Sequence, residues 1–132
     1  MTTDEYRDAV EAAARKVYAV LGEGCGESVY EAAMAIEFRK AGIAYAIENN
    51  VEVLYEGECV GMQRLDFVIG GDVAVELKTS GSISNTHRAQ TTAYMRTTQF
   101  ALAIIVNFPS PPKPEPGFEV IDRAELQRPA AP

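Results

Sequence analysis

The sequence is poor in the residues that build disulfide frameworks and zinc sites. It contains two cysteines and one histidine among 132 residues. Cys25 and Cys59 stand alone, without a C-x-x-C pair and without a histidine at zinc-ligand spacing. This pattern argues against a structural or catalytic zinc ion, and it predicts free thiols in a reducing compartment.

Long apolar runs and positive charge are also scarce. No stretch approaches the roughly 20 apolar residues of a membrane span, and the start M-T-T-D-E-Y-R-D lacks the features of a signal peptide. We therefore expect a cytoplasmic protein without a membrane partner. Nineteen acidic residues against twelve basic ones give a formal net charge of −7. Nucleic-acid binders usually have a basic surface instead. A chain that acts on nucleic acid would then need a homo-oligomer or a protein partner that supplies positive charge.

Apolar periodicity predicts one α/β domain over residues 1–122, followed by a tail over 123–132, of which 127–132 should be disordered. In the second helix, Ser28 and Glu31 have the spacing of a capping box. Ser84 or Asn85 would cap the third helix. The expected order is helix, helix, three antiparallel strands, helix and a buried parallel strand, over residues 4–21, 28–41, 45–55, 64–69, 73–78, 86–97 and 100–107, with a short edge strand at 118–121.

The centre of the chain is a predicted β-hairpin over residues 64–78, in which two alternating runs flank Gly70 and Gly71. A two-residue turn would mix apolar and charged residues on each face. A three-residue loop that ends at Asp72 instead gives one continuous apolar face. The expected pairs are Leu65 with Leu77, Phe67 with Val75, and Ile69 with Val73.

The other face of this hairpin would place Asp66 opposite Glu76, with Cβ atoms roughly 4.5–5.5 Å apart. Like charges at that distance are destabilising unless a positive charge lies between them. A divalent cation such as Mg²⁺ would supply that charge, because it binds carboxylate oxygens. Solvated ion pairs with Arg64 and Lys78 would do so as well. Spacing alone leaves both interpretations open.

Several motifs together resemble a known family. The order is G-C-G-E-S-V-Y at 24–30, R-L-D-F-V-I at 64–69, V-E-L-K at 75–78, H-x-x-Q-x-x-x-Y at 87–94 and I-I-V-N-F at 104–108. Over residues 10–121 the chain resembles the GxxExxY protein family, a branch of the PD-(D/E)XK nuclease superfamily. The resemblance implies a restriction-endonuclease-like α-β-β-β-α-β core, with a mixed central sheet flanked by helices. Periodicity predicts the same succession of elements.

The resemblance also implies a role for each motif residue. Asp66 and Glu76 would bind Mg²⁺ or Mn²⁺ together with the backbone carbonyl of Leu77, and Glu27 would be a further metal ligand. Lys78 would orient or activate the attacking water, so that Asp66, Glu76 and Lys78 form the catalytic set. Substrate would be held by Gln90 and Tyr94, with Arg64 and His87 as further candidates.

Each of the outer residues also has a simpler interpretation. Glu27 could stabilise the positive end of its helix, Tyr94 could belong to the core, and His87 could be solvated at a helix start. The expected function is metal-dependent hydrolysis of phosphodiester bonds in nucleic acid, with DNA as the first candidate. The alternative is a non-catalytic or partner-dependent subunit that keeps the nuclease fold and the metal site.

Overall fold

The structure, a computed structural model, describes residues 1–126 apart from the side chain of Glu48. The described residues form four helices and five strands. In these residues no helix is long and apolar enough to cross a membrane. The elements are α1 (Thr3–Leu21), α2 (Glu27–Lys40), β1 (Tyr45–Tyr55), β2 (Glu58–Ile69), β3 (Val73–Lys78), α3 (Asn85–Met95), β4 (Leu102–Asn107), β5 (Gly117–Asp122) and α4 (Arg123–Leu126).

Helix α1 has both ends defined by its sequence. The Thr2 hydroxyl accepts from the backbone N–H of Glu5 at 3.1 Å, and the Glu5 carboxylate accepts from the N–H of Thr2 at 3.1 Å, which is a capping box. The helix ends at Gly22, whose φ of 68° is a conformation that glycine adopts readily. Both ends agree with the sequence prediction.

Helix α2 begins differently from the prediction. It starts at Glu27 with Gly26 as its N-cap, and no side chain caps it. Ser28 lies inside the first turn, because the Gly26 carbonyl already accepts from the N–H of Val29 at 3.1 Å and of Tyr30 at 3.3 Å. The predicted capping box of Ser28 with Glu31 is therefore wrong, since the helix starts before Ser28.

The sheet is mixed, with the strand order β1-β2-β3-β4-β5. Strands β1, β2 and β3 form the predicted antiparallel meander, and β4 lies parallel to β3 after the α3 crossover. Strand β5 pairs antiparallel with β4 and forms an edge. The predicted α-β-β-β-α-β core with a mixed central sheet flanked by helices is confirmed.

The apolar core lies on both sides of this sheet. On one side, residues of α1 and α2 cover Phe67, Ile69 and Val75. On the other side, Tyr94 and Met95 of α3 form a smaller cluster. Strand β4 is buried along its whole length between these layers, as its near-continuous apolar run predicts.

The β2–β3 hairpin confirms the predicted loop. The Ile69–Val73 pair closes a three-residue loop in which Gly70 and Gly71 have φ values of 58° and 75°. The strand ladder then stops at the Phe67–Val75 pair.

The predicted pair of Leu65 with Leu77 does not form, because Leu65 joins the cluster beneath α3 whereas Leu77 lies in the cluster beneath α1 and α2. The single continuous apolar face predicted for the hairpin is therefore wrong at Leu65.

The segment after Lys78 is held by a buried amide. The Asn107 side chain accepts from the N–H of Ser80 at 2.9 Å and donates to the Ser80 carbonyl at 2.9 Å. The N–H of Phe108 also donates to the Lys78 carbonyl at 2.9 Å. These bonds fix the start of the loop that leads to Ser84, which caps α3.

The last described residues extend the fold beyond residue 122. The Arg123 guanidinium donates to the backbone carbonyl of Phe100 at 2.7 Å, and also to the carbonyls of Met95 and Thr98. Leu126 packs against the cluster beneath α3. Residues 123–126 of the predicted tail thus form helix α4, while the prediction of disorder concerns residues 127–132 and lies outside the described residues.

Candidate active site

The site lies where β2 separates from β3, and Asp66 marks that point. Its carboxylate oxygen Oδ2 accepts from the backbone N–H of Leu77 at 2.7 Å. The Leu77 N–H has no backbone partner on β2, and the Asp66 side chain accepts its hydrogen bond instead. The two strands diverge beyond Asp66, and a cleft opens between them.

This cleft has a volume of about 240 Å³ and is rich in carboxylates. The start of α2 forms one wall, and the diverging ends of β2 and β3 form the other. Its lining comprises Glu27, Ser28, Glu31, Gln63, Arg64, Asp66, Glu76, Leu77 and Lys78. The structure thus brings together six predicted residues, namely Glu27, Arg64, Asp66, Glu76, Leu77 and Lys78.

Glu76 is a carboxylate of the cleft whose pKa is raised. Burial raises the pKa of Glu76, and the negative charge of Asp66 raises it further, while the positive charge of Lys78 opposes both. Two weak contacts reach the Glu76 carboxylate, from Gln63 Nε2 to Oε1 at 3.4 Å and from Thr91 Oγ1 to Oε2 at 3.5 Å. Because the Thr91 hydroxyl has one proton and lies 2.9 Å from the His87 carbonyl, that carbonyl is its main acceptor.

A second pocket adjoins the cleft, and Gln63 lines both. It has a volume of about 410 Å³ and lies between the β1–β2 hairpin and α3, lined by Val53, Gln63, Gln90, Ala93 and Tyr94. The Tyr94 side chain is buried, and its hydroxyl has no hydrogen-bond partner among the described residues. Burial raises the pKa of Tyr94 above its usual value, and the charges of Glu76 and Asp66 add to this effect, so the phenol stays protonated.

Two motif residues have structural roles in this structure. His87 is the third residue of α3, and its Nδ1 accepts from the backbone N–H of Ser84 at 3.3 Å. Tyr30 donates its hydroxyl proton to the Gly22 carbonyl at 2.6 Å and stacks on Phe108 with ring centroids 4.1 Å apart. His87 does not line the cleft or the adjoining pocket, and Tyr30 is a packing residue of the core.

Sequence reasoning missed three residues near the carboxylates. Glu31 lies four positions after Glu27, a spacing that places both on one helix face and could have identified it. Thr91 lies three positions before Tyr94 and was detectable in the same way. Gln63 carries no such signal, because its position depends on how β2 leaves β3.

The donor chemistry of the cleft fits a hard divalent cation. Carboxylate and carbonyl oxygens are the ligands that Mg²⁺ and Mn²⁺ take, whereas zinc prefers nitrogen and sulfur. Among the described residues, no three His, Cys, Asp or Glu side chains lie together closely enough to hold an ion. Mg²⁺ usually takes one or two carboxylates and keeps several waters, so Asp66, Glu76 and a backbone carbonyl are donors of the kind that it takes.

The mixed sheet, the splayed hairpin and the carboxylate–lysine cleft define a nuclease-like α/β protein. The family model described as PD-(D/E)XK nuclease superfamily matches residues 4–121. The chain belongs to this superfamily. Membership supports hydrolysis of nucleic acid as the general class of function, and the enzymes of this superfamily generally use divalent metals.

One solved structure shows a related fold at low sequence identity, and a second has weaker similarity. The crystal structure of a protein named SSO0001 has a TM-score of 0.52 at 16% identity, covering 94% of this chain and 67% of that one. The alkaline exonuclease LHK-Exo from Laribacter hongkongensis has a TM-score of 0.46 at 13% identity, covering 94% of this chain and 84% of that one. No curated protein matches the sequence.

Proposed function

We propose that this protein is a Mg²⁺- or Mn²⁺-dependent nuclease of the GxxExxY branch, with DNA as its substrate. One observation carries this proposal: Asp66, Glu76 and Lys78 line a single cleft, and Glu27 faces them from the start of α2. A cluster of solvated ion pairs does not explain why the Glu76 carboxylate is half-buried, with a pKa that burial raises. A cation-binding site explains why two mutually repelling carboxylates are kept together.

In this proposal Asp66, Glu76 and the Leu77 carbonyl would hold the ion, and Glu27 would join them as a further ligand only after its side chain moved closer. The chemistry supplied by such an ion would be a lower pKa for a coordinated water and neutralisation of charge on the phosphate. The 2.7 Å bond from Leu77 N–H orients the Asp66 carboxylate, and the Gln63 amide contacts Glu76. The chain's own residues thereby orient the Asp66 carboxylate firmly and the Glu76 carboxylate weakly.

Lys78 is the proposed residue for proton transfer and charge stabilisation. It lies two positions from Glu76, so both side chains project from the same side of β3. Its positive charge acts on Glu76, because it lowers the pKa of that carboxyl against the effect of burial. In that position the ammonium can orient the attacking water and offset charge developing on the phosphate.

The adjoining pocket is the proposed site for the substrate strand. Gln90 and Tyr94 line it, and Gln63 connects it to the carboxylates. The Tyr94 hydroxyl is protonated but buried, so it would donate to a phosphate or base acceptor only after turning into the pocket. Arg64 lines the cleft and is the candidate phosphate contact, while His87 would act from the start of α3 only after leaving its cap.

A comparison of three proteins tests the proposal: the parent, Lys78→Ala and Lys78→Arg. Single-turnover cleavage of labelled DNA and RNA with Mn²⁺ should fall by about 10²-fold or more in Lys78→Ala, the scale of losing a positioned proton-transfer or charge-stabilising group. Lys78→Arg should not restore full activity, because a guanidinium stays protonated and orients water differently. Lys113→Ala is the matched control, since Lys113 is exposed and outside the cleft lining.

Metal binding separates loss of chemistry from loss of the site. Mn²⁺ should raise the melting temperature of the parent and of both Lys78 variants, because the acidic ligands remain, and Asp66→Asn should abolish this rise. Unchanged cleavage in both Lys78 variants would remove Lys78 from the mechanism.

The net charge of −7 favours a second candidate, a partner-dependent or non-catalytic subunit. Metal binding by the parent without cleavage of any DNA or RNA would support that candidate.

A further inference from the structure

The β1–β2 hairpin continues well beyond the part of the sheet that β3 covers. We call residues 49–65 the arm; its two strands pair with each other up to Tyr55 and Glu58, whereas the β2–β3 ladder stops at Phe67. The end of the arm exposes large apolar side chains, with exposed fractions of 65% for Tyr55, 64% for Val60 and 59% for Met62. A two-stranded ribbon is marginally stable in water, and an exposed apolar patch of this kind marks an interaction surface.

The arm end is also acidic. Glu56 lies in the turn, Glu58 directly follows it, and Glu52 lies on the same hairpin. Between Lys40 and Arg64 the sequence contains no lysine or arginine. The partner of the arm should therefore offer an apolar surface with a basic rim.

A surface with those properties lies on this same chain, between α1 and α2. It is a groove of about 190 Å³ lined by Lys16, Val17, Val20, Leu21, Ala33, Ile36, Glu37 and Lys40. Val20 is 69% exposed and Ile36 is 44% exposed, so apolar side chains of the groove are open to solvent. Lys16 and Lys40 both reach the single Glu37 carboxylate, at 3.6 Å and 3.5 Å, which leaves the rim with a net positive charge.

We propose that the end of the arm of one copy of this protein docks in the α1–α2 groove of a second copy. Tyr55 would be the anchor in the groove, because buried aromatic residues dominate interface energies. Glu56 and Glu58 would lie against Lys16 and Lys40. Charge complementarity selects a second copy as the occupant, since the chain itself provides both the acidic apolar end and the basic apolar groove. Two reciprocal contacts close a symmetric dimer.

A charge exchange tests this pairing. Glu56→Lys with Glu58→Lys gives a basic arm that meets a basic groove, and Lys16→Glu with Lys40→Glu gives an acidic groove that meets an acidic arm. Sedimentation velocity over a range of concentrations should show a reversible dimer for the parent, twice the 14.3 kDa chain. Each double variant alone should dimerise at least about tenfold more weakly, the effect of losing a paired interface charge. An equimolar mixture of the two variants should dimerise again, because both reciprocal contacts regain opposite charges.

Two further variants keep the test decisive. Glu115→Lys with Glu125→Lys makes the same change in net charge on exposed residues outside the arm and the groove, and it should leave dimerisation unchanged. Tyr55→Ser should weaken dimerisation at least about tenfold. Circular dichroism checks that each variant is folded.

A parent that stays monomeric at all concentrations would overturn the proposal. A mixture that fails to dimerise, or a control that weakens association as much as the arm variant, would do the same.

Discussion

The two ends of the β2–β3 hairpin differ although they belong to the same two strands. At the loop end, Phe67, Ile69, Val73 and Val75 are fully buried and paired strand to strand. At the other end the ladder stops and a carboxylate takes the N–H of Leu77. The loop end contributes mainly to stability, whereas the open end keeps charged groups together at some cost to stability.

This difference predicts that a mutation at one end affects folding and a mutation at the other end affects chemistry. Backbone pairing and apolar burial stabilise the loop end independently of any ligand. The open end has a half-buried, mutually repulsive carboxylate pair, which is unfavourable until a positive charge arrives. Within about ten residues of one hairpin, mutations at the loop end should therefore lower stability, and mutations at the open end should lower activity.

The largest effect is expected for Phe67→Ala at the loop end. Phe67 is fully buried and packs edge-on against Phe38 with ring centroids 5.1 Å apart. Its truncation should lower the free energy of unfolding by about 3–5 kcal/mol, measured by urea denaturation. Asp66→Asn is the comparison at the adjacent residue. Its amide oxygen can still accept from Leu77, so the change should stay below about 1 kcal/mol, and equal losses in the two variants would contradict the contrast.

The loop end could be predicted from sequence because its determinants are local. Alternation of apolar residues sets the register, and Gly70 with Gly71 permits the positive φ values that the loop requires. The same reasoning gave the Thr3–Leu21 helix to within a residue and the β1 strand over Tyr45–Tyr55. Each of these elements is defined by residues close together in the chain.

The open end could not be predicted in full because it depends on residues distant in sequence. Leu65 packs beneath α3, some 30 positions later, and no pattern within β2 reveals this change of side. Gln63 reaches the Glu76 carboxylate only because the strands diverge. Ser28 and Glu31 form a plausible cap in sequence, but Gly26 already starts α2, and both side chains line the cleft instead.

A smaller effect should distinguish the two loop glycines. Gly71 has a φ of 75° and open space where an added methyl group would lie, so Gly71→Ala should cost about 1–2 kcal/mol from the left-handed conformation alone. At Gly70 the φ is 58°, and an added Cβ would overlap the ring of Tyr6. Gly70→Ala should therefore destabilise more than Gly71→Ala, because the Tyr6 ring must also move.

Thermal unfolding of both alanine variants, alone and combined with Tyr6→Ala, measures this difference. Removal of the Tyr6 ring should bring the two glycine substitutions to the same cost. If Gly71→Ala proves the more damaging in both backgrounds, the packing of Tyr6 against this loop contributes nothing to the loop end.

The smallest effect is expected at the open end, where ionisation of Glu76 should make the stability of the fold depend on pH. Burial raises the pKa of Glu76 above its ordinary value near 4.5, and Asp66 raises it further. Because the folded-state pKa lies above the unfolded one, the ionised carboxylate weakens the folded state at neutral pH. Protonation removes this penalty as the pH falls through the folded-state pKa toward the unfolded value. Stability from this one residue therefore increases on acidification.

Glu76→Gln isolates this contribution, because glutamine keeps an oxygen that can accept from Gln63 but cannot ionise. Without added divalent ions, the variant should be more stable than the parent at neutral pH, and its advantage should shrink as the pH approaches the ordinary carboxyl value of 4.5. Urea denaturation midpoints of both proteins across this range measure the difference, with Glu125→Gln as the control for loss of one exposed charge. A variant that is less stable than the parent at neutral pH would show that Lys78 already compensates the Glu76 charge. The open end would then need no cation to hold its carboxylates together, and the contrast between the two ends of the hairpin would disappear.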